Sequence, residues 1–173
     1  MSKIQINKIT NANIYLDGLS LLGRAEEVAL PDVKAIMVEH KALGMVGSSE
    51  FFAGFEKLEC KIKWNSLYVE VMRKSGNPTK AVQLMVRSSL ETYTGQGRTQ
   101  ESPVVTMLQG VFKNFPLGEF KQHENVSYET NMAISYVKST VAGIDVFEVD
   151  VIENIYKVGG EDVLAQYRLN IGA

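Results

Sequence analysis

Apolar and polar residues alternate with period two along most of this chain, a pattern that predicts β-strands. Over residues 55–64, Leu58, Cys60, Ile62 and Trp64 share one face, while Lys57, Glu59, Lys61 and Lys63 share the other. A strand with one dry and one wet face reads this way. Residues 81–91 repeat it, with Val82, Leu84, Val86 and Leu90 inside, and residues 104–112 form a less regular third strand. The longest run is 126–141. Val126, Tyr128, Met132, Ile134 and Tyr136 take one side, and Ser127, Glu129, Asn131, Ala133, Ser135 and Ser139 the other. Unbroken, it would span roughly 50 Å at about 3.3 Å per residue. Ordinary strands have about 5–6 residues, so the length suggests a tall barrel or sandwich.

Turn chemistry punctuates these runs. Asp17-Gly18 closes a hairpin after Asn13 to Leu16, and Ala142-Gly143-Ile144-Asp145 leads into a return strand at 146–149. A longer strand is expected over about 28–41, with Pro31 at its beginning, where a missing amide is tolerated. Helical signals are few. Residues 66–74 follow Asn65, a good N-cap, and pair Leu67 with Val71 and Tyr68 with Met72. Arg73 and Lys74 suit the helix C-terminus, Gly76 a left-handed cap, and Pro78 stops continuation. A second short helix is expected from Asp162 to about Arg168.

Two glycine-bearing stretches read as loops. Residues 92–102, with Gly95, Gly97 and Arg98, suggest a mobile hairpin tip. Residues 41–54 carry Gly44, Gly47, Ser48, Ser49 and Gly54, yet also Met45, Phe51 and Phe52. That apolar surface must be covered, either by the chain's own barrel end or by a neighbouring subunit.

The 173 residues suit one domain, 1–173, without linker or repeat. No apolar run approaches the length of a membrane span, and the first residues predict no secretory signal. Eighteen Lys and Arg against twenty Asp and Glu leave no basic excess to grip nucleic-acid phosphates. The single cysteine, Cys60, alternates with core residues and reads as a buried structural thiol. His40 and His123 have no partners at ligand spacing. Gly95-Gln96-Gly97 lacks the following Gly-Lys-Ser/Thr and helix of a phosphate loop. Glu26-Glu27 and Glu161-Asp162 read as a solvated turn and a helix start. No catalytic, metal or cofactor constellation emerges, and no enzyme is expected.

In order and spacing, a set of short motifs resembles the major tail tube protein of contractile-tailed bacteriophages and contractile bacteriocins. Asn13-Ile14-Tyr15-Leu16-Asp17-Gly18 resembles the family's opening, and Gly23 with Val28-Ala29-Leu30-Pro31 its following segment. Glu39 and Gly44-Met45 fit the start of its long loop, and Gly54-Phe55-Glu56-Lys57-Leu58-Glu59 its strand entry. Leu108-Gln109-Gly110, Tyr136-Val137-Lys138 and Gly143 fit its middle. Glu148-Val149-Asp150, Gly160 to Ala165, Arg168 and Gly172 resemble its close. Phe120 stands where the family usually has Trp.

The resemblance implies a mainly β, antiparallel barrel or sandwich protomer with one flanking helix and a long assembly loop. Six protomers would close into a ring, and rings would stack into a tube inside a contractile sheath, conducting DNA in a phage. Implied partners are the chain itself and the sheath, baseplate, tape measure and tail terminator proteins, with DNA passing without specific binding and no cofactor. The protein would be made in the host bacterial cytoplasm and reside in the virion tail. Residues 41–54 would be the inter-subunit loop, with Gly44, Met45, Phe51 and Phe52 in ring stacking. Asn13, Asp17, Gly18, Pro31, Gly143, Asp150, Asp162 and Arg168 would be structural motif positions. If DNA passes, Ser127, Glu129, Asn131, Ser135 and Ser139 form the expected lumen face, with small groups and one acid. The face of Lys57, Lys61 and Lys63 should then point outward or be charge-paired. Alternatives are a bacteriocin or secretion-type tube that carries no DNA, and a monomeric β-barrel binding module.

Overall fold

The computed structural model describes residues 4–173. In chain order it comprises β1 (Ile6–Leu16), β2 (Leu19–Ser20), β3 (Ala25–Ala29), β4 (Ala35–His40), β5 (Ser49–Phe55), β6 (Leu58–Trp64), α1 (Val69–Ser75), β7 (Val82–Thr94), β8 (Gly97–Phe112), β9 (Tyr128–Val141), β10 (Ile144–Asp150), β11 (Ile155–Val158), β12 (Glu161–Asp162) and α2 (Ala165–Ile171). The protein is mainly β, as the alternation predicts, and each strand ladder is antiparallel.

One large sheet runs β12-β11-β10-β9-β8-β7-β1-β2. The long strand β9 carries two neighbours end to end on one edge: β10 along 136–141 and β6 along 128–134. β3 lies outside β6. The sheet thereby folds around a single core. Leu58, Cys60, Ile62 and Trp64 of β6 enter it together with Val82, Leu84 and Val86 of β7, all buried as their alternation requires. Ile14 and Leu16, Leu108 and Phe112, and Tyr128, Met132 and Ile134 complete its walls. Two pairs of polar side chains meet inside. Trp64 Nε1–H donates to Thr130 Oγ1 at 3.0 Å, and the Tyr128 and Ser75 hydroxyls lie 3.2 Å apart.

Several local expectations change. The strand expected over 28–41 is broken into β3 and β4, and Pro31 sits in the break rather than at a strand start. Its missing N–H suits a segment that leaves one sheet for another. The first helix begins at Val69, not Ser66, because the Asn65 side chain is engaged elsewhere. Its Nδ2 donates to the Gly23 carbonyl at 2.7 Å, and its Oδ1 accepts from the Tyr68 hydroxyl. Gly76 ends α1 in the right-handed region, φ −70°, rather than as a left-handed cap. The second helix starts at Ala165, since Asp162 is held in β12 and accepts the Leu164 N–H at 3.2 Å. Strand pairing continues through most of 92–102, leaving only Gly95 and Gln96 as the hairpin tip.

A bulge in β9 reassigns faces. Gln109 pairs with Tyr136 and Gly110 with Ile134, so Ser135 is the extra residue. Beyond it the alternation reverses. Val137 enters the core, Tyr136 leaves the core side, and Ser139 joins the side of Val137, opposite Thr106.

Candidate assembly surfaces

Residues 35–55 form an arm. Among the described residues β4 and β5 pair only with each other, in a two-stranded sheet separate from the main one. Such a ribbon is marginal in water unless something packs on it. The expected loop at 41–54 is therefore half strand. Its glycines and serines concealed β5, whereas Gly54, at φ 146° beside the Ile36/Met37 bulge, shows one reason a glycine is needed there. Ile36, Met37, Val38, Met45, Phe51 and Phe52 are all exposed apolar side chains. Gly44 lies at φ 88° in the tip turn, which is closed by Met45 N–H to the Ala42 carbonyl at 3.2 Å.

The two phenylalanines differ in role. Among the described residues Phe51 has one aromatic neighbour, His40, in an edge-to-face arrangement with ring centroids 6.2 Å apart. Phe52 roots the arm: its ring lies 5.1 Å from Phe55, which lies 4.9 Å from Tyr156 of β11, both edge-to-face. Beside this root is a groove of about 320 Å³ lined by Phe52, Phe55, Val151, Ile155, Leu164 and Tyr167, with Asp150 among its walls. Sequence reading missed this groove, because its residues come from three distant segments. α2 buries none of its residues fully, and Tyr167, Leu169 and Ile171 remain exposed.

The expected lumen face is only partly one surface. Register places Lys63 opposite Glu129, Lys61 opposite Asn131 and Glu59 opposite Ala133. Directly paired side chains share a sheet face, so the lysine stripe and the Glu129–Asn131 stripe are one surface, not two. Ser139 lies on the other side, after the bulge. The lysines are charge-paired: Lys57 with Glu59 at 3.1 Å, Lys61 with Glu129 at 3.2 Å, and Lys63 with Glu26 at 3.0 Å. Ser127 bridges to Glu119, and the Ser135 hydroxyl donates to the Gln109 carbonyl at 3.3 Å within the bulge. Where β8 ends, the Asn114 side chain continues its ladder. It donates to the Glu129 carbonyl at 3.1 Å and accepts the Asn131 N–H at 2.7 Å.

The motif positions are joints between elements. Asp17 (φ 48°) and Gly18 (φ 81°) form the tight turn between β1 and β2. Asp17 Oδ1 accepts the Gln83 N–H at 2.8 Å, and Oδ2 accepts from Lys74 at the end of α1. Burial pushes the Asp17 carboxyl upward, but Lys74, the Gln83 amide and the field of Lys80 outweigh it and leave its pKa below the ordinary value. Asn13 Nδ2 donates to Ser20 Oγ at 3.1 Å, tying β1 to β2. Ala142 and Gly143 form the β9–β10 turn, both with positive φ. Asp150 Oδ1 accepts the N–H groups of Ile152 and Glu153 at 3.0 and 3.1 Å. Arg168 grips Asp162 through both terminal guanidinium nitrogens, at 3.2 and 2.6 Å, and donates to the Asn154 carbonyl at 2.9 Å. That fork keeps the Asp162 carboxyl below its usual range. Cys60 is buried, which pushes its thiol up to about 12.

Among the described residues, no group of His, Cys, Asp and Glu is placed to hold a metal ion, and no helix is long and apolar enough to cross a membrane. The conspicuous surfaces are an apolar arm, an apolar groove and a salt-bridged sheet face. These define a protein whose chemistry is protein–protein packing.

The comparison with known families agrees with that class. The model of the phage tail tube protein FII family matches residues 6–172, and the chain belongs to this family. It is 28% identical over 171 residues to the tail tube protein of Escherichia phage P2, covering 95% of this chain and 96% of that protein. The protein is thus a structural component of the virion tail and not an enzyme. As a tail tube protein it associates with itself into a tube and meets other tail components.

Proposed function

We propose that the chain closes into rings of six that stack into the inner tube of a contractile tail, and that DNA leaves the capsid through its bore. The arm carries this reading. A two-stranded ribbon with apolar residues exposed along both strands and its tip has too little of its own protomer to pack on, and a second copy supplies the cover. The main sheet also ends in strands of only two residues, β2 and β12, while among the described residues the first half of β1 pairs on one side alone. Unpaired edges of this kind favour joining to another chain, and head-to-tail joining that closes makes a ring. The sheath, baseplate, tape measure and tail terminator proteins are the further partners of such a tube.

The face of Glu129, Asn131, Ala133 and Ser135 is the proposed bore wall. Lys57, Lys61, Lys63 and Lys113 stand on or beside it, each within ion-pair distance of Glu26, Glu59 or Glu129. A charge-balanced wall does not accumulate the multiple phosphate contacts that hold DNA.

Electron microscopy of the purified chain tests the assembly. Six-fold rings or open tubes are expected. A monomer that persists at high concentration overturns the reading and favours a binding module.

A further inference from the structure

We propose that the β10–β11 turn of one copy seats in the cationic pocket beside α1 of the next, a side-by-side contact that closes the ring. This rests on the ring reading above. The pocket, of about 440 Å³, lies where the β1–β2 turn meets the end of α1, and Asp17, Leu19, Glu70, Arg73, Lys74 and Lys80 line it. Both of its carboxylates are already engaged, Glu70 by Arg24 at 3.3 Å and Asp17 by Lys74. Arg73 and Lys80 are exposed, and among the described residues neither has a carboxylate within 4.0 Å. The pocket therefore has two cations to spare, beside one exposed apolar side chain, Leu19.

The turn has the complementary chemistry. Asp150 Oδ1 accepts the N–H groups of Ile152 and Glu153, which holds the turn in shape before any partner arrives. It presents Val151 and Ile152, both exposed apolar side chains. Next to them is the exposed Glu153, which among the described residues has no cation within 4.0 Å.

Register sets pocket and turn at one level of the sheet. Asp17 N–H donates to the Gln83 carbonyl. Gln83 then pairs with Gln109, Gln109 with Tyr136, and Tyr136 with Asp150. One row of residues thus runs from the pocket to the turn. Its ends are four strand spacings apart, roughly 19 Å along the sheet at about 4.8 Å each, and no residue of the turn lines the pocket of its own copy. The pocket belongs to the β2 side of the sheet and the turn to the β12 side. A neighbour joined edge to edge continues the row and brings Glu153 to Arg73 and Lys80, with Ile152 on Leu19. A contact between different surfaces of identical copies closes into a ring when its rotation divides a full turn.

Charge reversal tests the pairing. Arg73→Glu and Glu153→Arg each set like charges together and should slow ring and tube formation about tenfold or more at low salt. The chain with both changes restores opposite charges and should return to within about threefold of wild type. Thermal melts should show all three folded, since both side chains are exposed. In a separate chain, Lys80→Cys with Ile152→Cys should give disulfide-linked ladders that end at six chains when assembled tubes are oxidised, while neither single variant does; buried Cys60 stays silent. Single reversals that assemble at the wild-type rate, a double reversal no faster than the singles, or double-cysteine tubes whose ladders are missing or run past six overturn the contact and leave the ring reading in place. A wild-type chain that forms no rings overturns both.

Discussion

Gly110 of β8 passes directly against Ala133 of β9: a Cβ at position 110 would stand 2.1 Å from the Ala133 carbonyl oxygen and 2.9 Å from the Ile134 Cα. Both obstacles are backbone, so no side chain can rotate away. The contact lies at the bulge where Ser135 is skipped, and it sets which residues beyond 135 enter the core. Gly110→Ala should therefore cost about 3 kcal/mol or more, at or beyond the upper end of ordinary overpacking. Gly47→Ala has open space and no positive φ, and should change stability by less than about 0.5 kcal/mol. Denaturant titration of the two variants below the assembly concentration measures the contrast.

Asp17 makes stability pH-dependent. Its folded-state pKa lies below the ordinary 3.8, so its contribution is fully present above that unfolded value and is lost as pH falls through the depressed folded value. Asp17→Asn should be less stable than wild type at neutral pH by about 0.5–1 kcal/mol, the size of a partly exposed ion pair, because the amide oxygen still accepts the Gln83 N–H. The difference should shrink below pH 3.8. Urea midpoints measured from neutral to strongly acidic buffer check the sign; a gap that widens in acid would contradict it.

The arm's two phenylalanines should separate. Phe51→Asp should leave subunit stability within about 0.5 kcal/mol yet prevent long tubes. Phe52→Ala removes the ring next to Phe55 and should loosen the root by about 1–2 kcal/mol, less than a fully buried Phe→Ala. Hydrogen exchange on β4 and β5 should rise in Phe52→Ala and stay unchanged in Phe51→Asp.

For the bore wall, Asn131→Arg combined with Ser135→Arg should permit tubes while slowing DNA ejection by about tenfold or more, because added cations act cumulatively on phosphates. Ejection kinetics of mutant particles, with microscopy of their tails, decide it. Normal ejection from well-formed mutant tubes would move the DNA path to another face.

Cys60 should resist modification in the folded chain, since burial holds the thiol protonated with a pKa of about 12. Labelling by a soluble disulfide reagent should proceed only as fast as unfolding, and a rapid phase would show that β6 opens locally.

The chain's own letters were enough wherever the cause is local. The alternation in 58–64 follows from the geometry of a single strand, and every apolar residue it assigned inward is buried. Asp17-Gly18 and Ala142-Gly143 announce their turns through the glycine of each pair, which takes the positive φ of Gly18 and Gly143 at little cost. The family's motif order was also legible, since it is a property of sequence alone. Other features depended on partners far along the chain. The Ser135 bulge is a mismatch of register between β8 and β9, invisible in either strand by itself, and it alone moved Ser139 off the expected face. Lys61 and Asn131 became one surface only when strands 70 residues apart paired. Asn65 left its capping role for Gly23, and β5 emerged from a glycine- and serine-rich stretch because β4 was there to pair with it. Local propensity is a property of neighbouring residues, whereas register and facing are properties of pairs, and only tertiary structure chooses the pairs.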